Sequence, residues 1–392
     1  MKAIILSTVA AVSVLMLSSG AFAQGETSVP FLLIAPDARA GGMGETGTGL
    51  ADDASAIFWN VAGLAFLKGD NIALTEAPWL PEFSSDLNYN FFSYNHYMED
   101  WAGNIAASVT YFNLGQFTET GSNSPDPIST WHAYEIALTL GYGTQISDGL
   151  GLGANFRYIR SDLAPFGAEQ EQGSGVASDV SFDLGLLYRP QKLDLPLIGN
   201  FDNRLSLGIT LTNLGPNLYY IDQAQADPLP TNLRVGIAAH VVKSDYNNLY
   251  FVLDLSRTMV RVRTGGGDTT GTSIDPTTGD TTVNVTPEFR TVDPLPKSLI
   301  TTWNDGSGLK EIILSLGAEY WYGNPRLIAL RWGYFKENPN FGRRNFMTFG
   351  AGIRYDIYGF DFSYISTFDP NNPLSNQMRF SLVLNLGGQP DF

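Results

Sequence analysis

From Asn71 onward the chain is a succession of segments about ten residues long in which apolar and polar residues alternate, and no other feature restricts its fold as much. Leu205, Leu207, Ile209 and Leu211 alternate with Ser206, Gly208, Thr210 and Thr212. Phe349, Ala351, Ile353 and Tyr355 alternate with Thr348, Gly350, Gly352 and Arg354, and Met378, Phe380, Leu382 and Leu384 with Arg379, Ser381 and Asn385. Successive side chains on a strand point to opposite faces, so each segment has one apolar and one polar face. About ten residues is also what a tilted strand needs to cross a bilayer. About fourteen segments can be counted, an even number as in bacterial single-chain barrels. They start near Asn71, Leu87, Ala102, Trp131, Leu150, Ser178, Asn203, Thr231, Asn247, Leu309, Pro325, Arg344, Tyr358 and Gln377. Alternation alone would also suit a soluble sandwich, so the connections discriminate. Short ones at Ser147-Asp148-Gly149, Asp245, Gly323-Asn324-Pro325 and Ile357-Tyr358-Gly359 alternate with long ones at 116–130, 162–177, 215–230 and 263–308. Short turns on one side and long loops on the other mark an outer-membrane barrel. The 190–202 connection is too long for the short side and reads as a small periplasmic protrusion.

The start of the chain agrees with that address. Lys2, an apolar run over 3–17 and Ala21-Phe22-Ala23 before Gln24 form the pattern of a secretory signal peptide at 1–23, too short for a stop-transfer helix. No apolar run after Gln24 is long enough for a membrane helix. There is no cysteine, which excludes lipid attachment at the mature N-terminus, disulfides and thiolate metal sites. Aromatic residues make up 12%, glycines number 41, and charged residues are only 16%, against the usual quarter or so. This suits a transmembrane β-barrel with an apolar outer band and aromatic girdles, in the outer membrane of a Gram-negative bacterium. A net charge of −16 leaves no electrostatic footprint for nucleic acid.

Residues 24–69 break the alternation. Gly41, Gly42 and Gly44 fall within four residues, and Phe31, Leu32, Leu33, Ile34, Met43, Ile57, Phe58, Trp59, Leu64, Phe66 and Leu67 need something to pack against. Such a tightly turned, apolar piece is expected as a plug in the lumen of a barrel formed by 70–392. The longest loop, 263–308, centres on a low-complexity run, GGGDTTGTSIDPTTGDTT, and is expected to be mobile and extracellular.

No catalytic constellation emerges, so the chain is read as a non-enzyme without cofactor or metal. His96, His132 and His240 lie in separate segments without metal-ligand spacing, Asp275 to Asp280 lacks the closing Glu of a calcium loop, and no Lys follows the glycines of 41–44. Inward parity in the last five segments collects Glu311, Glu319, Arg331, Arg354, Asp356, Asp361 and Arg379. These are read as a paired network holding the plug, with an ion-selectivity path as the other reading. The first long-side connection sets Trp79, Leu80 and Phe83 beside Pro78 and Pro81, a semi-rigid apolar group suited to docking a partner; the other readings are a loop folded inward to cap the barrel, or Trp79 as part of the aromatic girdle.

Two sets of residues carry a resemblance to the PorV/PorQ family, barrels related to the FadL hydrophobic-compound transporters. The first is Ala38-Arg39-Ala40-Gly41-Gly42-Met43-Gly44, Ala51-Asp52-Asp53-Ala54 and Asn60-Val61-Ala62-Gly63-Leu64-Ala65, with Val61 where the family usually has Pro. Within it, Arg39, Gly41, Gly42, Met43, Gly44, Trp59, Asn60 and Gly63 stand as the plug motif. The second is 315–322, 330–335, 349–352, 360–364 and 378–382, with Asp254-Leu255-Ser256-Arg257 before the long loop. The resemblance implies a FadL-like barrel of fourteen strands serving a type IX secretion system. It further implies an adaptor that accepts cargo from the translocon by a C-terminal signal domain and delivers it to a sortase-containing attachment complex. The alternative is a FadL-type channel for hydrophobic compounds, which the shared plug signature and apolar residues such as Ile34, Met43 and Phe66 would serve.

Overall fold

The structure is a computed structural model. It describes residues 27–82, 84–121, 124–164, 174–195, 199–221, 225–265, 269–274, 281–285, 289–304, 308–369 and 372–386. The leader at 1–23, Phe83 and the 275–280 stretch lie outside the described residues. The wall strands are β1 (Asp70–Pro78), β2 (Asn88–Met98), β3 (Gly103–Gly121), β4 (Ser124–Ser147), β5 (Leu150–Ala164), β6 (Gly175–Tyr188) and β7 (Leu205–Leu214). They continue as β8 (Asn232–Lys243), β9 (Asn247–Thr258), β10 (Ile313–Tyr322), β11 (Ile328–Lys336), β12 (Asn345–Tyr355), β13 (Tyr358–Thr367) and β14 (Met378–Asn385). Each pairs antiparallel with the next, and β1 pairs with β14 from Asn71↔Asn385 to Glu76↔Phe380, closing the barrel. Closure leaves no strand edge in the wall unpaired, which is what a sheet in hydrocarbon requires.

The alternation in the sequence becomes an inside and an outside. On β5 the burial pattern switches residue by residue, with Leu152, Phe156 and Tyr158 exposed and Asn155, Arg157 and Ser161 buried. On β14 Phe380 and Leu382 face out while Arg379 and Ser381 are buried. A protein in water would show the opposite arrangement. Here the apolar face meets lipid, and most polar groups of the strands face the lumen, where other protein groups can satisfy them. Tyr94, Tyr142, Tyr188 and Tyr320 stand near the short-turn end, and Tyr111, Tyr134, Tyr334 and Tyr364 toward the long-loop end, as aromatic girdles do.

Residues 30–67 lie inside this wall. Short turns of helix at Pro30–Leu33, Ala38–Gly41, Ala56–Trp59 and Val61–Phe66 are all that the glycine-rich sequence sustains. Asp37 caps the second, accepting from the Ala40 N–H at 2.8 Å. Phe31, Leu32, Ile57, Val61 and Leu64 pack against wall residues Tyr89, Phe91, Ile159 and Leu187. Met43 and Leu50 pack against Tyr250, Val252 and Trp321 on the other side. Each fully buried large side chain is worth about 1.5–3 kcal/mol of transfer free energy, so this segment and the inward apolar residues of the wall share one core.

Two connections differ from simple loops. The 190–202 connection, on the short-turn end, folds into a miniature hairpin in which Asp194↔Asn200 and Leu195↔Gly199 pair. The 263–308 loop, read from its sequence as mobile and extracellular, contains two strand pairs, Val262–Gly265 with Phe289–Val292 and Thr269–Ile274 with Thr281–Val285. Low complexity concealed this, but the run is rich in β-branched Thr, which favours strands.

Candidate functional site

The centre of the molecule is the contact between the enclosed segment and the wall. Arg39 is its most connected side chain. Its Nε and one Nη donate to the two oxygens of Glu319 on β10, both at 2.8 Å. The other Nη donates to Asp52 at 2.6 Å and Asp53 at 2.9 Å. One guanidinium therefore bridges three carboxylates, two from its own segment and one from the wall. Glu319 in turn accepts from Arg331 Nε at 2.8 Å, Arg331 donates to Asp361 at 2.8 Å, and Arg354 donates to Asp361 at 2.6 Å. The result is one chain of charges running across β10, β11, β12 and β13, with Trp321 beneath Arg331 and Arg354. Arg379 stands apart from it, on Glu45 at 2.9 Å.

Backbone polar groups of the segment are met from every side. Gly44 N–H donates to Thr348 on β12, Gly47 and Thr48 N–H to Asp254 on β9, and Ala38 N–H to Ser381 on β14. Asn104 on β3 donates to the carbonyls of Leu64 and Leu67, and Asn155 on β5 to that of Ile57. Asn60 donates to Leu186 on β6. These partners span the circumference, so the lumen is filled rather than bordered. Gly44 has φ of +72°, and a Cβ there would come within 2.5 Å of the Leu316 carbonyl. Opposite it, a Cβ on Gly333 would come within 1.9 Å of Gly44 N, so backbone meets backbone only because both residues are glycine.

The plug-motif residues converge in this region. Arg39 is the clamp, Gly41 lies against Arg379 and Ser363, Gly42 against Gly350, and Met43 enters the cluster with Tyr250. Trp59 donates to Asp37 at 2.6 Å, and Gly63 packs on the Ala51 carbonyl. Of the charges read as luminal, Glu319, Arg331, Arg354, Asp361 and Arg379 are buried inside. Two are not where parity put them. Glu311 precedes β10 in a short helical turn and reaches Arg257 at 2.8 Å from the loop side. Asp356 lies beyond the end of β12, exposed in the turn to β13 with φ of +53°. Parity stops meaning anything where the strand stops. Trp79 is not displayed for docking either: its ring packs inward on Tyr89 and Phe112, with centroids 6.5 and 6.1 Å away. Leu80 is half-buried with φ of +47°, the bend that turns Trp79 in.

Sequence reasoning missed Asp37, Glu45, Asn104 and Asn155, and quoted Asp52, Asp53 and Asp254 only within the family resemblance, without a role. Those on strands could have been found as polar residues on inward rows. Above the enclosed segment, on the long-loop side, lies a cavity of about 500 Å³ whose walls include Phe31, Ile34, Trp79 and Phe346, with Glu45 and Arg344 among its polar groups. Among the described residues no group of three or more His, Asp or Glu side chains is placed to hold a metal ion.

A closed barrel with an apolar exterior and a packed, ion-paired lumen defines a plugged outer-membrane β-barrel protein. The family described as "Type IX secretion system protein PorV" matches residues 23–264, more than half of the chain, and the chain belongs to that family. No curated protein matches it in sequence. Solved structures similar to it include the Ralstonia pickettii toluene transporter TbuX, at 12% identity and TM-score 0.45 over 89% of this chain and 97% of that one. Others are the Pseudomonas putida toluene transporter TodX (13%, 0.47, 88% and 95%) and a Pseudomonas aeruginosa FadL homologue (12%, 0.44, 89% and 98%). What those proteins carry is a property of those proteins.

Proposed function

We propose that this outer-membrane protein is a non-enzymatic shuttle and adaptor of type IX secretion. In this reading it takes secreted proteins from the translocon by their C-terminal signal domain and delivers them to the sortase-containing attachment complex at the cell surface. Family membership supports the secretion system, and one observation favours an adaptor over a conduit: Arg39 ties the segment in the lumen to Glu319 of the wall while also holding Asp52 and Asp53. A through-channel would have to break that contact on every passage, and removing one partner from a buried ion pair costs about 3–5 kcal/mol. A shuttle needs no passage, since its partners meet it from outside. The test is a strain lacking the protein, scored for cargo bearing the C-terminal signal domain. Cargo should fail to reach the surface, and normal display would overturn the proposal.

The cavity of about 500 Å³ on the outer side favours a second reading, a channel for hydrophobic compounds. It is of a size that takes small ligands. Uptake of long-chain fatty acids or hydrocarbons should then fall in the same strain, and unimpaired uptake would remove this reading.

A further inference from the structure

Around the long-loop rim, which faces outside the cell, the chain gives most of its cations a partner. Arg160 is paired with Asp162, Arg257 with Glu311, Arg263 and Lys297 with Asp293, Arg290 with Asp227 and Arg344 with Glu337. Arg261 donates to the Thr301 carbonyl. Lys310, Lys336 and Arg343 differ. All three are exposed, and among the described residues their side chains make no hydrogen bond or ion pair. They stand at the outer ends of three neighbouring strands, β10, β11 and β12. The carboxylates beside them in the chain, Glu311 and Glu337, are already taken by Arg257 and Arg344. In a chain of net charge −16 this is a local reversal of sign.

The ladder gives the patch its height and direction. Lys336 lies between the buried Phe335 and Glu337, so it points outward. Beneath it on the same row come Tyr334, in edge contact with Phe368, and then the exposed Trp332 and Leu330. Two residues at ~3.3 Å each and a tilt of about 40° put Lys336 roughly 5 Å outside the Tyr334 girdle, at the level of the lipid headgroups. Directly opposite Lys336 are Leu314 on β10 and Asn345 on β12. Asn345 is outward too, because Phe346 beside it is buried. Its amide makes no hydrogen bond among the described residues, and its Oδ1 is buried without a partner. Chain length alone keeps Arg343 within ~7 Å of Asn345 and Lys310 within ~14 Å of Leu314.

Like charges this near one another repel, and elsewhere on the rim the chain relieves that with its own carboxylates. Here the relief has to come from outside. A zwitterionic phospholipid brings an ammonium with its phosphate and so no net charge. A phosphorylated sugar brings net negative charge and also hydroxyls, which an unpartnered amide can meet as donor or, turned about χ2, as acceptor. We propose that the outer ends of β10, β11 and β12 form a binding site for a phosphorylated glycolipid of the outer leaflet. Lys310, Lys336 and Arg343 hold its phosphate, the Asn345 amide holds its sugar, and its acyl chains lie along Trp332 and Leu330. The proposal rests on which end of the barrel faces outward and not on the secretion reading.

The test is native mass spectrometry of the folded protein in neutral detergent, titrated with bisphosphorylated lipid A, its dephosphorylated form or phosphatidylglycerol. Bisphosphorylated lipid A should bind at least about tenfold more tightly than either of the others. K310Q/K336Q/R343Q should weaken it about tenfold or more, whereas K68Q/K192Q/R204Q, which removes the same charge from the short-turn end, should change it less than about twofold. N345L should narrow the margin of lipid A over phosphatidylglycerol. Equal binding by the two triple variants, phosphatidylglycerol bound as tightly as lipid A, or displacement of lipid A by millimolar inorganic phosphate would each overturn the proposal. If the first triple variant does not fold, a photoreactive lipid A on the unaltered protein decides: adducts concentrated within 309–349 support the site, and adducts spread evenly around the barrel reject it.

Discussion

Arg39 shows how one residue can decide what a lumen does. Its guanidinium has five N–H donors in a planar fork, and four hydrogen bonds to Glu319, Asp52 and Asp53 use nearly all of them. Arg39→Ala should leave those carboxylates buried without their cation, a loss of about 3–5 kcal/mol. Because the wall's own ladder is untouched, the loss should fall on the seating of the segment rather than on insertion. Purified R39A in planar bilayers should conduct ions more readily than the parent, and its folded band should convert to the unfolded one at a lower temperature. R39K should fall between, since an ammonium cannot make two parallel bonds to Glu319. Parent-like conductance in R39A would show that the seal does not depend on this contact. Gly44→Ala tests the same seal by geometry: with φ of +72° and a carbonyl 2.5 Å from any Cβ, it should leak although no charge has changed. Arg39 and the glycines were legible in the sequence as a motif, and Glu319 as one of the charges holding the plug, but the pairing of Arg39 with Glu319, Asp52 and Asp53 was not. Pairing across 280 residues of chain is invisible to local pattern.

At the scale of elements, strands were legible and loops were not. β5 begins at Leu150, β9 at Asn247 and β13 at Tyr358, where alternation resumes after a turn, because period 2 is imposed by the two environments of the wall. No such period governs a loop, so the sequence left the docked and the inward-folded placements of Trp79 both open, and the strand pairs within 263–308 showed only in a Thr-rich composition. Deleting residues 31–67 should leave strands that insert but a barrel with greatly raised conductance, and unchanged conductance would place the segment outside the pore path. The 263–308 loop gives a prediction in pH. Hydrogen bonding to Lys297, then to Thr301 and Arg263, lowers the Asp293 pKa from its ordinary 3.8 to about 2. The folded value is the depressed one, so this carboxylate stabilises the Ser298–Thr301 turn beside it fully above about pH 4, and the contribution is lost as pH falls toward 2. Amides of Thr302 and Trp303, on the turn beside Thr301, should therefore lose exchange protection between pH 4 and 2. D293N should remove most of that dependence, and a pH profile identical to the parent's would assign the effect elsewhere.

For the whole molecule, the barrel's stability comes from closure rather than from any one strand. Each of the fourteen strands is hydrogen-bonded on both sides, and the seam β1–β14 joins residues more than 300 apart in sequence, such as Asn71 and Asn385. Opening the sheet anywhere would expose backbone N–H and C=O groups to detergent or lipid that cannot bond them, so no partly opened intermediate is cheap. The polar interior adds to this, because wall groups such as Thr348, Asp254 and Asn104 are bonded to the enclosed segment and would lose those partners on opening. Unfolding should therefore be slow and all-or-none. The protein in cold dodecyl sulfate should stay a compact barrel and run on a gel at a position different from the boiled chain, with a circular dichroism spectrum dominated by sheet before boiling. The R39A and Gly44→Ala variants should still show two positions, since they touch the seal and not the ladder, while a proline placed mid-strand in the seam, as in Leu382→Pro, should abolish the unheated form by removing a ladder bond. A single gel position for the unheated and boiled parent, together with a helical spectrum, would reject the closed barrel.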